Sequence, residues 1–462
     1  MNEIALRDHT PVRDPACQVL CREIQDRIDA GSCRLVDLLD EDARDDPSLS
    51  IFQAHRDGTL WTRQYVGFLE YRDTRIIISS RFDRTRHFYL RRLLENFLGE
   101  ALLALDGLTG ALNQGFFDQL LTASFALQVQ RAWTKGPLRA YRSFPRNDSH
   151  VRGVIDVPRH IRENLGLHNG RAAYRTRAYS LDNPWNVLLL QAAAAARKRN
   201  PALIRRLEGR LPEFRAALGS LALEVPGWER PQAGQVLDRT RRRIENPVFR
   251  EWEPARRTAR ALLARMASDP FADSGTAAVT GVFLNMDRLW ELLLEDALFR
   301  GAADGDIAQN SFTALGGQMG MIIKPDFYFP SCRTVLDAKN RPAWGETFTL
   351  TKRFPTGKAE QRRQRRVRSA VRDDAYQVLT YMLALDCSAG GVVFPMSMSG
   401  QSVPAPARSY VRDGRTFWRI PVGIPEAEDY GTFCRVLREQ FDALRRSDPV
   451  RELLRPDGPL GR

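Results

Sequence analysis

The chain has 462 residues, 43% apolar and 27% charged, with 69 Lys and Arg against 56 Asp and Glu for a formal net charge of +13. This composition excludes a disordered chain, a collagen-like repeat and a disulfide scaffold, and at roughly 100–200 residues per domain it predicts two or three domains. The arginine-dominated surplus favours a polyanionic partner and carries no information about fold.

No run of 18 apolar residues is present, so no membrane span is expected. The start, Met1-Asn2-Glu3-Ile4-Ala5-Leu6-Arg7-Asp8, has acids where a secretion signal needs a basic segment and then an apolar one, and a cytoplasmic location is expected. Residues 1–58 read as polar and irregular, with a helix around Cys17–Ile28. Cys17, Cys21 and Cys33 approach metal spacing, but no second pair and no nearby His completes four ligands, so reduced thiols are expected. Tyr65–Tyr71 and Arg75–Ser79 are two β-type runs joined by Arg72-Asp73-Thr74, a hairpin signal. Residues 86–270 read as mostly helical, from apolar spacings of three and four in Leu90–Leu105, Phe116–Val129, Val187–Ala196 and Ala255–Met266. Asn183-Pro184 marks a helix start, capped by Asp182 or Asn183.

A boundary of small and polar residues falls at Asp269–Gly275, and strands return beyond it. Phe283–Phe299 is predicted helical, Met319–Phe329 and Thr334–Ala338 β-rich, Asp374–Leu385 helical and Gly391–Pro395 a buried strand. A hairpin turn at Asp413-Gly414 and an amphipathic helix ending near Leu444 follow. The alternation predicts an α/β domain.

The chemically informative segment is Pro325-Asp326-Phe327-Tyr328-Phe329 followed by Val335-Leu336-Asp337-Ala338-Lys339. Residues two apart on a strand share a face, so Asp337 and Lys339 emerge together while Ala338 points into the core. If the two runs pair, Asp326 sits beside them. Two carboxylates, Asp326 and Asp337, with the Ala338 main-chain carbonyl make an all-oxygen site suited to Mg²⁺, with Mn²⁺ as a substitute. Such an ion activates water and polarises a phosphodiester, and Lys339 beside it would orient the water and stabilise charge developing on phosphorus. Glu291, on the preceding predicted helix, is placed to reach the metal through water. Gln377 and Tyr381 share one helix face. A bland reading makes these a turn residue, a surface ion pair and an ordinary helix face.

These residues resemble the PD-(D/E)xK nuclease core, and Gln377-Val378-Leu379-Thr380-Tyr381 matches the Q-x-x-x-Y helix of many of its members. Upstream, in order, come Tyr65-Val66-Gly67, Leu138-Arg139-Ala140-Tyr141, Arg152-Gly153-Val154-Ile155-Asp156, Asp182-Asn183-Pro184-Trp185-Asn186 and Asn285-Met286-Asp287-Arg288-Leu289-Trp290-Glu291. Taken together over roughly residues 60–400, the set resembles the McrC subunit of McrBC-type modification-dependent restriction systems. The resemblance implies a nuclease subunit that docks on an AAA+ GTPase ring, stimulates its GTP hydrolysis and cuts double-stranded DNA. This chain departs from the family in having Trp290-Glu291 where Phe-Glu is usual, and in a longer gap between Lys339 and Gln377.

That gap holds nine Lys or Arg between Lys352 and Arg372 against one acid, Glu360. Arg362, Arg363, Arg365, Arg366 and Arg368 are the candidate phosphate contacts, since such binding is electrostatic and independent of sequence; a solvated loop is the alternative. Arg239, Arg241, Arg242 and Arg243 form a second cluster, read as a solvated face or a partner contact. Leu315–Gly320 lacks the lysine of a nucleotide-binding loop and reads as a turn. The expected architecture is an α+β multidomain chain: residues 1–58 of unknown role, residues 59–270 a β-hairpin plus helical partner-docking region, and residues 271–462 a restriction-endonuclease-like α/β domain with a central mixed sheet. The rival readings are a regulatory subunit that mainly activates the ring, and a stand-alone repair nuclease.

Overall fold

The structure, a computed structural model, describes residues 2–31, 33–39, 50–55, 58–83, 87–105, 114–165, 169–267, 279–299, 312–315, 321–330, 332–350, 357–398, 403–411, 413–447 and 450. The expected boundary at 269–275, the turn at 316–320, and Lys352 and Arg353 lie outside them.

The Tyr65–Tyr71 and Thr74–Ser79 runs form the expected antiparallel hairpin. It sits within a five-stranded sheet, ordered Asn2–Arg7, Thr74–Ser79, Tyr65–Tyr71, Val279–Asn285, Cys33–Asp37. The described part of residues 1–58 is therefore not irregular. It supplies two strands of this sheet, the helix Pro15–Asp29 and the strand Phe52–Ala54 paired with Leu60–Thr62, and the sheet draws on all three stretches that the sequence reading kept apart. Alternation explains why the runs are so apolar: Val66, Phe68 and Ile77 face the central core, whereas Leu69, Tyr71, Ile76 and Ile78 face Cys17, Cys21, Ile24 and Ile28 of the helix. A sheet covered on both faces has no polar side to show. Cys17 and Cys21 belong to that packing, and burial pushes both thiols up.

The middle of the chain is a helical bundle in which Gln114–Lys135, Pro184–Arg199, Pro212–Glu224 and Glu253–Ala267 pack together. Asn183 is the cap of Pro184–Arg199, its side chain accepting from the Asn186 N–H at 3.0 Å. Asp182 instead pairs with Arg142. One expectation fails here. Ala140–Asp148, Val154–Ile155 and Ala172–Ser180 form a three-stranded sheet inside the supposedly helical region, carrying the short helix Val157–Asn164. Its strands escape the apolar-period test because their faces are exposed: Tyr141, Val154 and Tyr179 all stand in solvent.

The C-terminal part is built on a mixed five-stranded sheet, Phe327–Phe329, Thr334–Ala338, Ala389–Ser397, Thr416–Ile424, Ala407–Tyr410, with antiparallel pairs at the edges and parallel pairs at the centre. The Asp413-Gly414 turn and the helix Tyr430–Arg446 stand where expected, with Gly414 at φ +88°. The predicted helix Phe283–Phe299 is corrected at its start: Val279–Asn285 is a strand, and the α-helix is Met286–Leu294, because the Asn285 side chain accepts from the Asp287 and Arg288 N–H groups and caps it there. The helix expected over 374–385 is also longer. Lys358–Ala384 is one helix of 27 residues, so the arginine-rich run is its first half and not a loop. Gln364, Val367, Asp374, Val378, Tyr381 and Met382 fall on its buried side at spacings of three and four, while Arg362, Arg365, Arg366 and Arg368 lie on the exposed side. No helix among the described residues is long and apolar enough to cross a membrane.

Candidate active site

Phe327 pairs with Leu336 and Phe329 with Thr334, a register that seats Asp326, just before the first strand, against the end of the second. The Asp326 Oδ2 accepts the Ala338 N–H at 2.8 Å. A strand residue turns its N–H and C=O to the same side, so the Ala338 carbonyl also faces the Asp326 side. The Ala338 methyl is buried in the core, as the i, i+2 rule requires. Asp337 and Lys339 emerge on the other face and form an ion pair, Nζ to Oδ2 2.6 Å. Lys339 is pinned at its backbone too, its N–H donating to the Val393 carbonyl at 2.9 Å. The indole N–H of Trp290 donates to the same carbonyl at 3.2 Å, docking the Met286–Leu294 helix on the sheet.

That helix carries Glu291, which takes a 2.8 Å ion pair from Arg288 one turn earlier. From the other side, the Gln377 amide donates to the Tyr381 hydroxyl at 2.6 Å, and that hydroxyl donates to the Lys324 carbonyl at 3.3 Å, two residues before Asp326. The predicted Asp326, Asp337, Lys339, Glu291 and Gln377–Tyr381 set is thus one neighbourhood, assembled from a helix, a hairpin and a second helix. The arginine run is on the same helix as Gln377. Arg363 bonds Thr349 and Arg366 pairs with Glu346 at 2.9 Å, whereas Arg362, Arg365 and Arg368 have no acidic partner among the described residues. Arg239, Arg241 and Arg242 are exposed.

The electrostatics are those of acids short of positive charge. Burial, then the charges of Asp337 and Glu291, push the Asp326 carboxyl up to about 9. Burial raises Glu291 as well, against the pull of Arg288. Burial on its own would lower Lys339, but the Asp337 carboxylate outweighs it and holds the ammonium charged. Burial and then Asp337 raise the Tyr381 hydroxyl. No group of three His, Cys, Asp or Glu side chains among the described residues stands arranged to hold an ion, so any divalent cation here would rest on two carboxylates, a carbonyl and water.

The sequence reading missed Asp374 and its partners. Its carboxylate takes Arg341 at 2.9 Å and the Trp344 indole N–H at 3.0 Å, tying the segment after Lys339 to the long helix. An acid three residues before Gln377 gave no signal, because its partners lie about 30 positions away.

The fold and site define a mixed α/β protein that gathers buried acids and a charged lysine at one strand end. The chain belongs to the McrBC 5-methylcytosine restriction system component family, whose model matches residues 60–395. Among solved structures it is similar to a refined half-complex from a tetradecameric assembly of Thermococcus gammatolerans McrB AAA+ hexamers with bound McrC, at 17% identity and a TM-score of 0.47, over 96% of this chain and 100% of that chain. It is also similar to a chain of the Thermococcus gammatolerans McrBC complex, at 19% identity and a TM-score of 0.34, over 66% of this chain and 89% of that one. No curated protein matches the chain.

Proposed function

We propose that the chain is the McrC-type nuclease subunit of a McrBC-like restriction system, cutting double-stranded DNA with Mg²⁺ and stimulating an AAA+ GTPase ring. Family membership supports the restriction-system role. The observation that carries the nuclease role is Asp326 held on the Ala338 N–H beside the Asp337–Lys339 pair, with a proton affinity raised by burial and then by neighbouring acids. Asp326, Asp337 and the Ala338 carbonyl are the hard oxygen donors that Mg²⁺ prefers. The bound ion would polarise the phosphodiester and lower the pKa of a water.

The chain's own residues do the rest. Lys339, charged and fixed at its backbone by Val393, orients the attacking water and stabilises the charge developing on phosphorus. Tyr381, held by Gln377 and bonded to the Lys324 carbonyl, fixes the strand that presents Asp326. Arg362, Arg365 and Arg368, with Arg363 and Arg366, supply phosphate contacts along the long helix that further on carries Gln377 and Tyr381. The exposed sheet 140–180, with the Tyr141 and Tyr179 rings in tilted contact at 5.0 Å, adds an uncovered surface to the 59–270 region that we assign to partner docking. Asp326→Ala, Asp337→Ala and Lys339→Ala should each abolish Mg²⁺-dependent cleavage of 5-methylcytosine DNA, assayed with GTP and the cognate ring, while the circular dichroism stays native. Full cleavage by any of the three would sink the assignment.

A further inference from the structure

We propose that Arg81, anchored by Asp8, is a positioning residue for Lys339. The inference rests on the nuclease reading and adds a role for the N-terminal sheet. The parallel strands Asn2–Arg7 and Thr74–Ser79 end level, Arg7 opposite Ser79, so the residues that follow each strand emerge side by side. Asp8 is wholly buried there, its own N–H donating to the Ser79 carbonyl at 2.9 Å. Its two carboxylate oxygens take the Arg81 main-chain N–H at 2.5 Å and the Arg81 Nη1 at 2.6 Å. A guanidinium held at backbone and fork has little freedom left to lose.

The other arm of that fork leaves the sheet. Arg81 Nη2 donates to the Asn340 main-chain carbonyl at 3.1 Å and to its side-chain Oδ1 at 2.7 Å. Asn340 is the residue after Lys339 and is 1% exposed. The peptide carrying the lysine is therefore gripped from both sides, by Val393 on the neighbouring strand and by Arg81 from the N-terminal sheet. The Asn340 oxygens are taken up by Arg81, and Arg81 touches none of the proposed reacting groups. Its effect on cleavage must pass through the placement of Lys339, and displacement of about 1 Å in a reacting group can cost on the order of a hundredfold in rate. The same link joins the first residues of the chain to the site, so a ring partner that moves the N-terminal sheet would move Lys339 with it.

The test uses the full chain with its ring partner, GTP, Mg²⁺ and methylated plasmid. Arg81→Lys keeps a cation for Asp8 but has one ammonium in place of a fork that spans two partners. It should lower kcat by about 10- to 100-fold with KM for DNA unchanged. The Tm gain on adding Mg²⁺ should match wild type, and the 339–341 amides should exchange hydrogen faster. Asn340→Ala leaves the Asp8–Arg81 pair whole and serves if Arg81→Lys misfolds; it should lower kcat several-fold, and the double variant should be no slower than Arg81→Lys alone. Wild-type kcat in both single variants, or a loss that falls on KM, overturns the positioning role while the nuclease reading stands. A wild-type chain that cuts nothing, or an Asp326→Ala chain that cuts, overturns the nuclease reading and this role with it.

Discussion

Asp326→Asn separates what the acid does for cleavage from what it costs the fold. In the metal-free fold, burial and the charges of Asp337 and Glu291 push this carboxyl up to about 9, against about 3.9 for a free Asp. The folded state then holds a proton that the unfolded chain releases, so the group's contribution to stability falls as pH climbs from about 4 toward 9. At pH 7 the gap is about three pH units, and at about 1.4 kcal/mol each the ceiling is about 4 kcal/mol. Glu291, whose carboxyl is raised as well, titrates together with Asp326, which reduces the expected relief to about 1–3 kcal/mol. Asparagine has the same shape, keeps an oxygen for the Ala338 N–H now bonded at 2.8 Å, and carries no charge at any pH. In urea unfolding with EDTA, the variant should match wild type near pH 4 and exceed it increasingly up to pH 9. Adding Mg²⁺ should raise the wild-type Tm by mass action and leave the variant's nearly unmoved, with cleavage at background. A variant no more stable than wild type at any pH, or one with an equal Mg²⁺ response, would refute the account of Asp326 as a cation ligand kept at a cost to stability.

Replacing Arg362, Arg365, Arg366 and Arg368 with Gln should weaken DNA binding by a similar factor on any sequence. The log–log salt slope should become shallower by up to about 0.9 for each phosphate that is no longer neutralised, read by fluorescence anisotropy across a salt series; an unchanged slope assigns this helix face to solvent or a protein partner. Asp83 accepts the Tyr89 and Leu90 N–H groups at 2.9 and 3.0 Å, and burial pushes its carboxyl up to about 7. Because that is a raised acid, wild type should lose stability relative to Asp83→Asn as pH rises from about 4 to 7, by at most about 1.4 kcal/mol per unit, and a pH-independent difference in unfolding free energy would contradict it.

What the sequence determined by itself was local and periodic. Two β-type runs joined by a short polar turn located the 65–79 hairpin, spacing of three and four located the bundle helices, and Asn183-Pro184 marked a helix start that its side chain does cap. Asp337 and Lys339 could be set on one face because a strand's geometry depends on nothing beyond the strand. The family resemblance over roughly 60–400 came from motif order, and the family does match at 60–395. Tertiary structure alone decided the rest, because its causes lie far apart in the chain. The strands Asn2–Arg7 and Cys33–Asp37 are stabilised by partners near 74–79 and 279–283, and without those partners their composition reads as irregular. The arm at 140–180 exposes faces that a core-seeking periodicity cannot detect. The arginine-rich run before Gln377 looked like an insert because charge dominates its composition, yet Gln364 and Val367 give it one buried side and make it helix. The grip on Lys339 joins residues 8, 81 and 340, and a fork of hydrogen bonds spanning 259 positions leaves no mark on local sequence.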